Sequence, residues 1–358
     1  MKLFDTLESL GHEQVVCCYD KASGYRGIIA IHDTTLGPAL GGTRFWSYAN
    51  DDEAMTDALR LSRGMSYKNA VAGLNLGGGK AVIMGDNRTA NREMIFRAHG
   101  RFVESLGGRY VTAEDVGTST GDMDYVHMET DYVAGLATKS GDPSPVTARG
   151  VFRSIQASAQ ARWGSSDLNG KTVTIQGCGN VGTYLAKELH AVGAKLIVSD
   201  IRADKIKAVV DATGAKVVDG NEIYSAKADI FAPCALGAII NDETIPMLKV
   251  EIVCGGANNV LLEARKHGEA LESRGIMYAP DFVANAGGVI NVYSELAGWT
   301  RERALHKADE IFDTILGVYK IAKEQSIPTF EAADKLAEAR IASVKGMVRT
   351  WPQWPRKG

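Results

Sequence analysis

The sequence predicts an α/β protein of two domains, and three observations carry that reading. Its 358 residues are too many for one compact core and suit two. From about Val146 onward, apolar strand-like runs alternate with helical patterns, the sign of a parallel sheet. One of those strands leads into Gly177-Cys178-Gly179-Asn180-Val181-Gly182 and then into an amphipathic helix. The expected division is a first α/β domain over residues 1–145, a doubly wound domain over 146–330, and a C-terminal helix and tail over 331–358 that return to the first domain.

In chain order, residues 14–20 and 26–33 are β-branched or apolar runs around a Ser-Gly turn, so they read as a hairpin. A glycine-marked loop follows over residues 37–44. Asp51, Asp52 and Glu53 suit the positive end of a helix, and Ala54, Ala58, Leu61 and Met65 then recur at helical spacing. Lys68 falls on that same apolar face and should point inward. Gly77-Gly78-Gly79-Lys80 runs straight into Ala81-Val82-Ile83-Met84, which puts Lys80 where a glycine-rich turn enters a buried strand. A helix over about 91–106 and a strand over 109–113 end at Glu114-Asp115-Val116-Gly117. Further on, strands are expected at 173–176, 196–199, 230–233, 252–255 and 277–280. After Asn285 a long helical stretch runs through 304–323 and again through 331–348, packing back on the first domain.

Composition excludes several classes. With 45% hydrophobic and 23% charged residues and a formal net charge of -3, there is no basic surplus for nucleic acid. No apolar run reaches the roughly 18 to 20 residues of a membrane span, and the opening MKLFDTLESLGHEQ is charged too early for a signal peptide. The expectation is a cytoplasmic chain without a membrane segment. The cysteines, Cys17, Cys18, Cys178, Cys234 and Cys254, lack the paired spacing of a zinc site or a disulfide framework. They read as reduced thiols, and no metal site is expected.

The glycine motif carries the first functional reading. Gly177 would make the tight turn after the strand, Gly179 would let backbone approach a pyrophosphate, and Gly182 would let helix pack on strand. The pyrophosphate would then sit at a helix N-terminus. Asp200 stands 18 residues past Gly182 at the end of the next strand, placed to bond adenosine ribose hydroxyls and to repel a 2′-phosphate. This is the pattern of a Rossmann-type NAD domain, with NAD favoured over NADP, although Arg202 nearby could meet a 2′-phosphate. The plainer alternative is a structural glycine turn in an ordinary α/β domain.

Lys68, Lys80 and Asp115 are the candidates for chemistry in the first domain, and each has a plain reading as well. Lys68 could snorkel from a helix end, Lys80 could be a surface lysine, and Asp115 could cap a helix starting near Ser119. The segments GPALGGTR (37–44), LSRGMSYKNA (61–70), GGGKAVI (77–83), ESLGGRYVTAEDVGT (104–118), IQGCGNVG (175–182), FAPCALG (231–237), GGANN (255–259) and YAPDFVANAGGVINV (278–292) change the balance. Together they resemble the leucine, valine and phenylalanine dehydrogenases of the glutamate dehydrogenase superfamily, in order from about residue 10 to 345.

The resemblance implies an N-terminal domain for substrate and oligomerisation, an NAD domain, and reversible oxidative deamination of a small apolar L-amino acid to its 2-oxo acid and ammonia. It implies that Lys68 holds the substrate carboxylate, Lys80 is the catalytic lysine and Asp115 exchanges protons with the amino group. Thr147 would sit near the nicotinamide carboxamide, with Asn180, Val181, Ala235, Asn259 and Asn285 also on the cofactor and Asn258 on the substrate. The physics agrees: a lysine in a low-dielectric cleft beside a second cation loses proton affinity and can act as a base near neutral pH.

The same resemblance assigns Leu40, Ala113, Val289 and Val292 to the side-chain pocket, which on their own read as core residues, and Gly41 to substrate binding. A branched chain at Leu40 narrows the space for a phenyl ring, so leucine, valine or isoleucine is expected. Gly256, where a serine is common in the leucine-type pattern, and Ser294 depart from it. The rival readings are an aromatic amino-acid dehydrogenase acting on phenylalanine or tryptophan and, in another class, a non-catalytic NAD-binding amino-acid sensor. Edge strands of the first domain and a tail with Trp351 and Trp354 offer surfaces for self-association, although the tryptophans could equally pack on their own subunit; the resemblance implies a homo-oligomer, and an octamer or a dimer is expected.

Overall fold

The computed structural model describes residues 2–136 and 141–347, so Trp351, Trp354 and the expected helix end at Val348 lie outside the described residues. The first half runs α1 (Leu3–Leu10), β1 (Gln14–Asp20), β2 (Tyr25–Asp33), β3 (Ala39–Trp46), α2 (Asp51–Val71), β4 (Gly77–Met84), α3 (Arg92–Glu104), β5 (Tyr110–Glu114) and α4 (Thr120–His127). Its sheet has the order β1-β2-β4-β3-β5. The expected hairpin pairs β1 with β2 antiparallel, β2 pairs antiparallel with β4, and β3 lies parallel between β4 and β5.

Two local readings change. Gly77, Gly78 and Gly79 are the first residues of strand β4 and not a turn before it. Close packing demands them there: a Cβ on Gly77 would lie 2.0 Å from Asp33 O, on Gly78 2.1 Å from Ser66 N, and on Gly79 2.6 Å from the Tyr110 ring. The buried face of α2 is also shifted from the expected stripe. Ala54, Ala58, Leu59, Ser62, Ser66 and Asn69 are buried, whereas Leu61, Met65 and Lys68 are half-buried on its flank. A helix this close to a glycine strand needs small side chains against it, and Asn69 Nδ2 donates to Gly77 O at 2.6 Å.

The second half runs α5 (Ser144–Trp163), β6 (Thr172–Gln176), α6 (Asn180–Ala191), β7 (Lys195–Ser199), α7 (Ala203–Thr213), β8 (Lys216–Val217), α8 (Glu222–Ser225), β9 (Ile230–Pro233), β10 (Ile252–Val253), α9 (Ala264–Ser273) and β11 (Met277–Tyr278). All strand pairs are parallel, in the order β11-β10-β9-β6-β7-β8. The order reverses beside the first strand, β6, as in a doubly wound dinucleotide fold. The two-residue β8 has no counterpart among the expected strands; both its residues are exposed, so no apolar run marks it.

The chain ends in α10 (Asp281–Ala284), α11 (Gly287–Leu296), α12 (Arg301–Asp309), α13 (Ile311–Gln325) and α14 (Thr329–Lys345). The expected unbroken helix over 304–323 is interrupted at Glu310, beside Asp309, whose carboxylate is held by Arg149 and Arg153 of α5. Helix α14 does return to the first half. Arg340 donates from Nη1 to Ala70 O at 2.7 Å and from Nη2 to Leu74 O at 2.9 Å, and the Tyr67 hydroxyl donates to Glu338 Oε1 at 2.6 Å.

Candidate active site

Period-two alternation and ladder register decide which side chains share a face of the first sheet. Leu40 pairs with Gly78 and Val111, Gly42 pairs with Ala113, and Lys80 pairs with Ala30. One face therefore carries Ala30, Gly78, Lys80, Leu40, Gly42, Arg44, Val111 and Ala113. Helix α2 covers the part with Ile28, Ala30 and Val82, where these residues form one apolar cluster with Ala54, Ala58 and Leu59. Gly41 has a packing role, because a Cβ there would lie 1.7 Å from Gly79 O.

Lys80 is 5% exposed, so it is not a surface lysine. Its Nζ donates to Asp115 Oδ2, and the same oxygen accepts from Arg44 Nε at 3.3 Å. Asp115 follows the end of β5, and its backbone N–H donates to Thr118 Oγ1 at 2.9 Å. It does not cap α4; Ser119 does, in a capping box with Asp122. Gly42 makes room for this corner, since a Cβ on it would come within 2.8 Å of Asp115 Cβ.

The electrostatics follow from burial and pairing. Burial pulls Lys80 below the ordinary lysine value, while Asp115 pulls it back up. Burial pushes Asp115 up, but Lys80 and Arg44 outweigh it and hold the carboxyl below its usual range. Lys68 is drawn down to about 8 by burial, with Lys80 adding to the fall and the carboxylates of Asp281 and Asp115 opposing it. The two lysines thus lie within each other's field. Asp281, from α10 in the second half, was not among the expected residues, although it stands inside the YAPDFVANAGG segment. Its Oδ2 accepts from Val260 N at 2.8 Å.

In the second half, the candidate cofactor residues gather after the carboxyl ends of parallel strands, where such folds bind ligands. Gly177 follows β6 with φ of 102°, a conformation suited to glycine, and a Cβ on it would lie 2.8 Å from Ala235 Cβ. A Cβ on Gly182 would lie 1.9 Å from Gly177 O, whereas nothing stands within 4 Å of one on Gly179. Helix α6 begins with Asn180 and Val181, and its N-cap, Gly179, supplies no side-chain hydrogen bond. Open space beside uncapped helix N–H groups fits a pyrophosphate. Asp200 Oδ2 accepts from Cys178 N at 2.6 Å and Oδ1 from Arg202 N at 2.8 Å, while the Arg202 side chain is forked onto Asp204 at 2.7 and 3.2 Å.

Asn258 and Asn259 lie in the exposed loop after β10, with Asn259 at φ of 50°. Asn285 is buried; its Nδ2 donates to Asn258 Oδ1 at 2.8 Å, and its Oδ1 has no partner among the described residues. That unpaired acceptor fits a ligand N–H. Thr147 lies buried in the first turn of α5, and a Cβ on Gly288 would lie 3.2 Å from its Oγ1. Of the residues expected at a side-chain pocket, Leu40 and Val289 belong to one apolar cluster, with Val292 packed against it; Ala113 is buried on the same sheet face as Leu40. Val111 and Ala134 join that cluster without having been expected. Val111 could have been found by stepping back two residues from Ala113 along the strand.

The Glu/Leu/Phe/Val dehydrogenase dimerisation domain matches residues 12–132, and the Glutamate/Leucine/Phenylalanine/Valine dehydrogenase domain matches 140–216 and 199–348. Leucine dehydrogenase of Geobacillus stearothermophilus is 56% identical over 348 residues, covering 96% of this chain and 95% of its own. Valine dehydrogenase of Streptomyces albus is 49% identical over 341 residues, with 94% and 93% covered. L-tryptophan dehydrogenase of Nostoc punctiforme is 48% identical over 345 residues, with 96% and 98% covered. The crystal structure of that enzyme superposes at a TM-score of 0.89 and 47% identity, covering 96% of this chain and 100% of its own. Similarity of this extent in sequence and fold makes the chain a member of the glutamate/leucine/phenylalanine/valine dehydrogenase family, and so an amino-acid dehydrogenase.

Proposed function

We propose that this enzyme uses NAD to deaminate a branched-chain L-amino acid, leucine, valine or isoleucine, reversibly to the 2-oxo acid and ammonia. The observation that carries the reading is the buried Lys80–Asp115 pair on the sheet face that also bears Leu40 and Ala113, within the field of Lys68. Leucine dehydrogenases at 54 to 56% identity over nearly the whole chain support the substrate class. NAD is supported by Asp200 at the end of β7, whose carboxylate would repel a 2′-phosphate.

In this mechanism NAD, when bound, supplies the acceptor for the hydride that leaves the substrate Cα. Protonated Lys68 holds the substrate carboxylate, whose charge stabilises the ammonium. Asp115 takes a proton from the substrate ammonium, freeing the nitrogen lone pair that supports hydride loss. Uncharged Lys80 then removes a proton from the water that attacks the iminium carbon. Asp115 gives its proton to the departing amine and takes the one that the carbinolamine hydroxyl releases, so that ammonia leaves with the 2-oxo acid.

We assign Leu40, Ala113, Val289 and Val292 to the side-chain pocket, with Gly41 and Asn258 on the substrate, and Gly177, Gly179, Asn180, Val181, Gly182, Thr147, Ala235, Asn259 and Asn285 to the cofactor. We take the domains as 1–145, 146–330 and 331–358, the last of which the structure describes to residue 347. A homo-oligomer in the cytoplasm completes the reading; no helix among the described residues is long and apolar enough to cross a membrane. A second reading, an aromatic substrate, is favoured by the 48% identity to L-tryptophan dehydrogenase.

The test is a substrate panel read by NADH absorbance, with leucine, valine, isoleucine, phenylalanine, tryptophan and glutamate. The branched-chain substrates should exceed the aromatic ones in kcat/KM by about tenfold or more, since one methylene is worth about 1 to 3 kcal/mol in an apolar pocket. A faster aromatic substrate would put the second reading first. No turnover on any of the six would point to a sensor.

A further inference from the structure

The Lys80–Asp115 pair has a third member. Arg44 Nε donates to the Asp115 oxygen that also receives Lys80, and Arg44 Nη1 donates to Asp57 Oδ2 at 2.7 Å. The Tyr48 hydroxyl donates to that same Asp57 oxygen at 2.8 Å, and Arg60 Nη2 donates to Oδ1 at 3.1 Å. The guanidinium is thus stretched between a carboxylate on helix α2 and the one beyond β5, with the side chains of Arg44, Asp57 and Asp115 only 22%, 15% and 25% exposed. On its outer side, Arg44 lines an open pocket of about 630 Å³ together with Trp46, Tyr48, Asp57, Arg60 and Val116.

We propose that Arg44 is a positioning residue of the reaction: braced by Asp57 and Tyr48, its guanidinium fixes the Asp115 carboxylate and holds it anionic beside an uncharged Lys80 until it takes the substrate's proton. The proposal rests on the reading of Lys80 as the base. A base must shed its proton, and when Lys80 does so the buried Asp115 loses the charge of its nearest cation. Arg44 cannot lose its own proton, so it is the fixed charge of the trio. It acts on both partners at once, favouring the Asp115 anion and disfavouring the Lys80 cation. A lysine in its place would keep the charge but not the fork that reaches two carboxylates.

The other groups facing the pair are few. Lys68 and Asp57 come from α2 and Glu114 from β5; Asp281 of α10 faces Lys68, and the hydroxyls of Tyr48 and Tyr110 complete the surroundings. Loss of the Arg44 charge lets Lys80 keep its proton to higher pH and lets Asp115 take one at higher pH. Both changes move the rising, acid-side limb of activity toward alkaline pH.

The experiment measures kcat and KM for L-leucine from pH 6 to 11 in wild type, Arg44→Met, Arg44→Lys and Lys80→Ala, with thermal melting of each. Arg44→Met should move the acid limb of kcat/KM up by about one pH unit or more, the size expected of one neighbouring charge. Its kcat should fall about tenfold or more while the KM for NAD stays within about threefold. Arg44→Lys should return the limb to within about 0.3 unit of wild type with kcat still reduced. Arg44→Gln, which keeps a donor, serves if Arg44→Met does not melt cooperatively. A folded neutral variant with unmoved limbs would overturn the proposal, even if slow, because a structural defect lowers kcat without shifting them. If Lys80→Ala stays active, the failure belongs to the base assignment and not to Arg44.

Discussion

A lysine serves as a base near neutral pH only where its surroundings take away proton affinity, and Lys80 meets that condition by burial. Lys68 offers the cleaner titration, because it is drawn down to about 8. Its protonated form is the one that binds a carboxylate, so binding is full below pH 8 and is lost as pH rises through that value. The Ki of 4-methylpentanoate, which has the carboxylate but no amine, should therefore weaken about tenfold per pH unit above 8. A flat Ki between pH 7 and 10 would contradict the role. At the pocket, Leu40→Ala should cost about 2 to 3 kcal/mol of unfolding free energy and raise kcat/KM for phenylalanine relative to leucine. Unchanged selectivity would show that Leu40 is core and not pocket wall.

Elements carry these residues through packing that is only partly legible in sequence. The hairpin, the strand–glycine–helix unit around Gly177 and the start of α2 at Asp51 follow from local pattern, because turn chemistry, capping and alternation are local. The inward face of α2 does not. Ser62, Ser66 and Asn69 look polar in sequence yet face the glycines of β4, because two backbones that close leave room only for small or hydrogen-bonded side chains. Arg44, Asp57 and Asp281 were missed for a similar reason: their partners lie on other elements, and charged residues in isolation look like solvated surface. Two substitutions test the packing. Gly182→Ala should abolish NADH binding, measured by fluorescence titration, since its Cβ would fall 1.9 Å from Gly177 O. Arg340→Ala should cost about 1 to 3 kcal/mol in urea unfolding by stranding the Leu74 carbonyl and cutting the tie to Ala70, and should raise the KM for leucine, because α2 carries Lys68.

At the scale of the whole molecule, two sheets supply the candidate site, and Asp281 of the second half lies in the field of Lys68 of the first. The mixed first sheet offers the Lys80 face, the parallel second sheet offers the loops beyond β6, β9, β10 and β11, and α14 ties the end of the chain back to α2. The central claim is that an uncharged amine at position 80 performs the proton transfer from water. The measurement closest to it is the rate of NADH formation from L-leucine by Lys80→Ala beside wild type, with NADH affinity followed by fluorescence. The account predicts that turnover falls by about 100-fold to 10,000-fold, the usual contribution of a positioned base, while NADH affinity stays within about threefold. Turnover within about threefold of wild type would contradict it.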